Sequence, residues 1–516
     1  MAELTRRQAI LLAGATLMLS GCTSPATPTA SPTAAGTPTA VKTATAADWQ
    51  AFAAQLKGAL VLPADADYAQ LKLVENPRFD DAQPLAILEA SSADDVAAAI
   101  TFATAHAVPL AIRSGGHSYP GYSAGGASGT DVPPSLVVDV RPLNQVTVAG
   151  DGTATIGAGA ALASVYAALA AEGRAIGAGS CATVGVAGLT LGGGVGVLTR
   201  TFGLTCDQVT AIEIVTADGK VVTASATNEP ELFWALRGGG GGHLGVVTSF
   251  TFQTQAAPTV TMFFLSWPFA QAAAVVDAWQ SWMPQTDPGL WSTLKLLGGP
   301  VKHPTGPAIT MSGTWLGAPA QLAAQLAGLT NAVKPSTNTS STHDYGQAMA
   351  IYAGCSNIAV AQCNTGPGGS LKRESFGATS HIAQAPLDAA GIQALIGQAT
   401  AAGQVGGMIE GGVSIDALGG QVAKVGAGDT AFPWRDALAT VQYTATFENG
   451  ADPAPFDAYA RGFRQAMQPH WGDGAYVNYS DASITDPDTA YFGANKARLQ
   501  AARKKYDPSG LFTQPQ

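Results

Sequence analysis

Arg113-Ser-Gly-Gly-His-Ser-Tyr-Pro-Gly-Tyr122 sets one imidazole, His117, among residues with little or no side chain. A second stretch does the same for a thiol. It runs from Gly179-Ser-Cys-Ala-Thr-Val-Gly185 through Gly192-Gly-Gly-Val-Gly196 to Gly203-Leu-Thr-Cys-Asp-Gln-Val209, and its reactive side chain is Cys181. Backbone without side chains can approach a ligand closely. Successive bare N–H groups can form a concave nest for phosphate oxygens. The two stretches are therefore expected to wrap one large phosphate-bearing group, with His117 and Cys181 bonded to it.

Outward from these loops, composition narrows the field. A chain of 516 residues exceeds what one core usually organises, so two or three domains are expected. An apolar fraction of 47% with only 12% charged residues reads as a globular, secreted-type protein rather than a disordered one. The net charge of −10, with no Lys/Arg cluster, argues against a nucleic-acid partner. Residues 1–22 read as a targeting segment. Arg6-Arg7 precedes the apolar run Ala9–Leu19 and then Ser20-Gly21-Cys22. The run falls short of the ~20 residues that span a bilayer. The paired arginines suggest twin-arginine export, and Leu19-Ser-Gly-Cys22 resembles a lipobox whose cysteine would carry a lipid anchor. Residues 23–46 are nearly all Thr, Pro, Ser and Ala, a composition expected to form a disordered tether.

Beyond the tether, Asp48–Leu56 has the spacing of a helix. Strands are expected at Pro84–Leu88, Val108–Arg113, Leu136–Val140, Ala154–Gly157, Gln208–Thr216, Val221–Ala224 and Val246–Gln253, with helices near Ser92 and over Leu162–Gly173. From about Pro258 the pattern becomes alternating strands (Thr259–Trp267, Ile309–Leu316, Met408–Ile415, Thr440–Phe447) separated by Ala-rich helices (Gln271–Trp282, Pro319–Leu329, Leu387–Ala402). That suits an antiparallel sheet with helices on one face, so the fold class is α+β. A last helix is expected over Ala494–Lys505, stopped by Asp507-Pro508.

Competing chemistries are poorly supported. A Rossmann reading of Gly192–Gly196, with Asp218 about 20 residues on, fails because Asp218 falls in a hairpin turn. No CxxC, HxxxH or HExxH suggests a metal site, and no GxSxG marks a serine hydrolase. Cys355 and Cys363 are close enough for a local disulfide. Cys181 and Cys206 present the same option, in competition with a cofactor bond at Cys181.

The motifs quoted above, with Leu191–Arg200, Trp234-Ala-Leu-Arg-Gly-Gly-Gly240, Tyr476-Val-Asn-Tyr-Ser-Asp481, Asn495–Leu499 and Tyr506-Asp-Pro508, resemble the berberine bridge enzyme-like family of FAD-linked oxidases in the vanillyl-alcohol oxidase superfamily. The resemblance implies a two-part FAD-binding domain (47–257 and 470–516) with an inserted antiparallel-sheet substrate domain (258–469). It implies a bicovalent FAD, through His117 to the 8α-methyl group and Cys181 to C6, leaving Cys206 as a small buried residue. Arg113, Ser114, Gly115, Gly116 and Ser118, together with Val184, Gly185, Gly188, Gly193, Gly194 and Gly196, would cradle the pyrophosphate and line the flavin. Val247 and Asn478 complete the cofactor set. A base must take an alcohol proton as hydride leaves the neighbouring carbon. Tyr476 is the first candidate and Tyr479 the alternative, with Gln442 and Asp416 as partners. Phe432-Pro-Trp-Arg435 departs from the family's Phe-Pro-His-Arg and leaves no histidine there. The implied activity is two-electron oxidation of an alcohol or hemiacetal, in a carbohydrate or natural product, with O₂ reduced to H₂O₂. The alternatives are a dehydrogenase using another acceptor and a lipoprotein that binds flavin or sugar without turnover.

Overall fold

The computed structural model describes residues 43–515. The targeting segment, Cys22 and nearly all of the Thr/Pro/Ser/Ala stretch lie outside them. The first helix, Ala46–Ala53, begins inside the span read as a tether. Thr45 caps it, its hydroxyl accepting from the Asp48 amide while the Asp48 carboxylate accepts from the Thr45 amide.

Two small sheets and a two-stranded ribbon, Arg174–Ala175 with Gln255–Ala256, make up the first half. One has the order Ala59–Val61, Ala86–Glu89, Leu136–Asp139, Leu110–Arg113, and its last three strands are parallel. Its apolar runs are buried, as parallel strands covered on both faces require. The helix Ala93–His106, capped by Ser92, connects two of these strands. The other sheet is antiparallel, in the order Val146–Val148, Thr153–Gly157, Val246–Gln253, Val209–Val215, Val221–Ser225. Asp218 lies in the exposed turn between the strands Val209–Val215 and Val221–Ser225 and pairs with Lys220, which disposes of a nucleotide-binding role.

The second half is one seven-stranded antiparallel sheet. Its order is Thr337–Asp344, Thr259–Trp267, Ala308–Trp315, Leu290–Gly298, Met408–Ala417, Ala439–Phe447, Ser375–Ala383. Three of these strands escape sequence reading. Thr337–Asp344 is an exposed edge strand of polar residues with no apolar alternation. Leu290–Gly298 and Ser375–Ala383 are mostly buried on both faces, so no period of two shows. The 18-residue helix Ala454–Trp471, packed on the sheet's far edge, is likewise absent from the sequence expectations; its Pro469 reads as a breaker but falls within the last turn.

Arginines, two of them buried (Arg200 and Arg435) and one half-buried (Arg78), tie the halves together. Arg200 donates to the carbonyls of Leu290 (2.7 Å), Leu418 (2.7 Å) and Thr286 (3.1 Å). Arg435 forms a bidentate pair with Asp207 at 2.7 and 2.9 Å. Arg78 does the same with Asp457 at 2.9 and 2.8 Å. The chain then returns to the first half, where the helix Lys496–Tyr506 packs on Pro230–Ala235.

Candidate active site

The two glycine loops meet back to back. A Cβ on Gly115 would overlap the backbone nitrogen of Gly185, and one on Gly185 would overlap the Ser114 hydroxyl and the Gly115 nitrogen. Only glycine permits that approach. The crossing forms one wall of a cavity of about 480 Å³. The seven-stranded sheet supplies another wall. Successive inward positions of Leu290–Gly298 supply Trp291, Thr293 and Lys295, and neighbouring strands supply Ser312, Ser414, Asp416 and Gln442. Register explains the grouping, since Thr293 lies opposite Ser312 on one side and Asp416 on the other, while Ser414 lies opposite Lys295 and Gln442. The C-terminal segment closes the end with Tyr476, Val477, Asn478 and Tyr479.

His117 and Cys181 both line this cavity. His117 Nε2 lies 2.8 Å from the Thr183 hydroxyl and 3.7 Å from the Glu75 carboxylate. Burial holds its pKa down at about 4, against the Thr183 carbonyl, which favours the charged ring. The imidazole is therefore neutral, the nucleophilic form. Cys181 is unbridged and opens onto the cavity. Protein packed around it pushes its pKa up, as does the charge of Glu75, while Lys295 opposes them. Cys206 is also unbridged and fully buried, 3.6 Å from Asp207, so the Cys181–Cys206 disulfide option falls. Cys355 and Cys363 are bridged.

Ser114, Gly115, Gly116, Ser118, Val184, Gly185, Gly188, Val247 and Asn478 all lie on the cavity wall. Arg113, Gly193, Gly194 and Gly196 do not. The Arg113 guanidinium is fully buried against Asp139 and donates to the Leu71 carbonyl at 2.8 Å. The amides of Gly194 and Val195 point at the Tyr476 hydroxyl, at 2.9 and 3.2 Å. A Cβ on Gly196 would run into the Ala178 carbonyl, so that glycine serves packing.

The two candidate tyrosines differ in what holds them. The Tyr476 oxygen accepts from Gly194, Val195 and, at 2.9 Å, the Asn478 amide, in a pocket closed by Phe432. Burial raises its pKa. The Tyr479 ring instead neighbours the Asp416 carboxyl, whose charged form Thr293, Lys295 and Tyr479 favour. Burial raises the Asp416 pKa, opposed by those partners. Tyr479 stacks on Tyr119 at 5.6 Å between ring centres, and the Tyr119 hydroxyl accepts from Gln442. Tyr479 thus has an ionisable carboxyl beside it, whereas the Tyr476 oxygen is surrounded by three N–H donors. Trp434, standing at the family's histidine position, donates to the Tyr491 carbonyl at 2.9 Å and has a packing role.

Sequence reading missed Glu75, Tyr119, Thr183 and Lys295. Tyr119 and Thr183 stand inside the quoted motifs, two residues from His117 and Cys181. Glu75 and Lys295 carry no local signal, because folding alone brings them to the site.

The cavity fits a flavin dinucleotide. Its lining runs from Cys181 to Gln514, the wall at Gly115 and Gly185 admits no side chain, and it presents an imidazole and a thiol together. The Tyr352 hydroxyl on its wall has no partner within the protein. No cluster of metal-binding side chains exists among the described residues. Fold and site together define an FAD-dependent oxidoreductase built from an N- and C-terminal flavin-binding part and an inserted sheet.

Comparison with known proteins narrows this. Residues 84–225 match the FAD binding domain family and residues 475–516 the berberine and berberine-like family. The chain is 31% identical over 464 residues to the uncharacterized FAD-linked oxidoreductase YgaK of Bacillus subtilis, covering 89% of this chain and 96% of that one. Among solved structures it superposes on a chitooligosaccharide oxidase with TM-score 0.80 at 28% identity, covering 90% of this chain and 98% of the other. It also superposes on the glucooligosaccharide oxidase of Acremonium strictum with TM-score 0.79 at 28% identity, covering 90% and 97%. The latter is described with a 6-S-cysteinyl, 8α-N1-histidyl FAD. The chain belongs to the berberine bridge enzyme-like FAD-linked oxidoreductases of the vanillyl-alcohol oxidase superfamily.

Proposed function

We propose that this protein is a carbohydrate oxidase that takes two electrons from the hemiacetal carbon of a sugar and delivers them to O₂ as H₂O₂. The observation that carries the reading is that Tyr479 of the closing segment and Asp416 of the sheet wall line one cavity with His117 and Cys181. FAD, bound through both of those residues, supplies the hydride acceptor. The Tyr479 oxygen takes the hydroxyl proton of the substrate and hands its own proton to Asp416. The charge of Lys295, across the strand pair, favours the ionised carboxylate that receives it. Gln442, donating to Tyr119, fixes the ring on which Tyr479 stacks.

Several features favour a sugar. Thr293, Ser312 and Ser414 offer short hydroxyls, and Trp291 offers an aromatic face beside them. The chito- and glucooligosaccharide oxidases above share the fold across nearly their whole length. Arg6-Arg7 and Leu19–Cys22 support twin-arginine export and a lipid anchor at Cys22. No helix among the described residues is long and apolar enough to cross a membrane.

The test is a panel of reducing mono- and oligosaccharides mixed anaerobically with the purified protein. One sugar should bleach the flavin absorbance, and admitting air should restore it with one H₂O₂ formed per flavin. Bleaching without recovery in air would replace the oxidase with a dehydrogenase. No bleaching by any sugar would remove the substrate class.

A further inference from the structure

We infer that Glu75 is the base that takes the proton His117 must lose when its ring is bonded to the flavin, with the Thr183 hydroxyl as the link between them. The inference rests on the covalent reading given under Proposed function. Three contacts carry it. The Thr183 hydroxyl lies 2.8 Å from His117 Nε2 and favours the charged form of the neighbouring Glu75 carboxylate. Glu75 Oε2 is itself 3.7 Å from Nε2. The Glu75 amide donates to the Gly116 carbonyl at 3.2 Å, which pins the carboxylate beside the residue that precedes His117.

The chemistry needs such a group. With Nε2 facing Thr183 and Glu75, Nδ1 is the nitrogen that forms the new bond. A ring alkylated at Nδ1 while Nε2 keeps its hydrogen is a cation. The surroundings that hold the free His117 neutral disfavour that cation strongly. In balance, the methyl carbon of the flavin loses one hydrogen as a proton and leaves the bonding pair in the ring system, while Nδ1 supplies the pair for the new C–N bond. The Nε2 proton passes through Thr183 to Glu75. The flavin is then two electrons richer, and O₂, the acceptor of the proposed reaction, takes those electrons and two protons to leave as H₂O₂. Glu75 suits the task because burial raises its pKa. The groups facing it are Thr365, whose hydroxyl donates at 3.0 Å, the charges of Arg373 and Glu374, and His117 and Cys181.

Nothing in the sequence around Glu75, Leu73-Val-Glu-Asn-Pro77, announces this role. A purely structural role, in which Glu75 only ties down the Thr365 segment, is the alternative to defeat.

The Cys181→Ala variant isolates the His117 bond. The full chain, produced in flavin-starved cells, is mixed with FAD, quenched in acid at intervals and weighed intact. Cys181→Ala should gain the mass of one FAD. Adding Glu75→Gln should slow that gain at least tenfold while non-covalent FAD uptake, followed by loss of flavin fluorescence, stays the same. Thr183→Val should slow it similarly, and Thr183→Ser should restore it. Equal rates with and without the Glu75→Gln change overturn the inference. If Glu75→Gln takes up no FAD at all, equal rates for Thr183→Val and Thr183→Ser overturn it instead. A Cys181→Ala parent that never gains mass removes the linkage reading itself, and the inference with it.

Discussion

The two walls of the cavity are built on opposite plans. The flavin wall is backbone: Ser114–Ser118 and Val184–Gly188 cross so tightly that side chains are excluded. The sheet wall is side chain: Trp291, Thr293, Lys295, Ser312, Ser414, Asp416 and Gln442 project from four strands at alternate positions. A backbone wall suits a ligand that never changes. A side-chain wall can be altered one position at a time without touching the strands that carry it. Mutations on the first wall should therefore abolish cofactor loading, and mutations on the second should change turnover while the protein stays yellow.

The largest effect is expected at the loop crossing. Gly185→Ala places a methyl group into the backbone of Gly115, an overpacking that should destabilise by about 3 kcal/mol or more. The purified variant should carry no flavin. Gly188→Ala lies one helical turn away with nothing within 4 Å of its Cβ, and should fold with an unchanged Tm. Equal Tm and flavin content for Gly185→Ala and wild type would end the idea of a backbone wall.

Away from the flavin wall, Asp416→Asn on the sheet and Tyr479→Phe in the closing segment should each lower kcat by about 10²–10⁴-fold, the usual worth of a positioned base, with flavin content intact. Because burial raises the Asp416 pKa, and the working form is ionised, kcat should fall with acid at a midpoint above the ordinary carboxylate value of about 4. Asp416→Asn should erase that limb. Tyr476→Phe sharpens the contrast. It removes the acceptor of the Gly194 and Val195 amides and should cost about 1–3 kcal/mol of stability. A kcat loss from Tyr476→Phe as large as that from Tyr479→Phe would return the base to Tyr476.

The same division decides what could be read from the chain. The flavin wall was legible because its demand for glycine writes itself into contiguous runs, with His117 and Cys181 embedded in them. The runs still misled in part. Gly193, Gly194 and Gly196 look like more of the cradle, but their neighbourhood serves the Tyr476 hydroxyl and the Ala178 carbonyl. Arg113 enters the expected cradle as part of its motif, and its side chain has a separate partner, Asp139, one strand over in the same sheet. On the sheet wall each strand contributes only a few residues, and the strands are far apart in the chain, so no local pattern gathers them. Asp416, Gln442 and Tyr479 entered through family resemblance, and Lys295 and Glu75 not at all. The edge strand Thr337–Asp344, polar at every position, carried no signal that a strand was there.

The seam between the walls gives the next effect. Arg200, from the flavin half, donates to the Leu290, Leu418 and Thr286 carbonyls of the sheet half and is almost fully buried. Arg200→Ala would leave buried carbonyls without donors and should lower the unfolding free energy by about 3 kcal/mol. Chemical denaturation measures this. Two separate transitions in the variant would mean that Arg200 couples the halves, and an unchanged curve would mean that the seam is held elsewhere.

The smallest effect separates the halves by pH. His381, on the sheet's edge strand Ser375–Ala383, is fully buried with Nδ1 2.9 Å from the Tyr443 hydroxyl, and burial pushes its pKa down to about 3. In the unfolded chain the same ring titrates near its ordinary value of about 6.5. Between these values the unfolded state binds more protons, so stability rises with pH through the window and is fully present above about 6.5. From pH 7 down to pH 5 this one group should remove about 2 kcal/mol. His381→Gln should flatten the acid slope by that amount, measured as the difference between variant and wild-type unfolding free energies at the two pH values. His117 obeys the same rule in the cofactor-free chain, with its folded pKa at about 4.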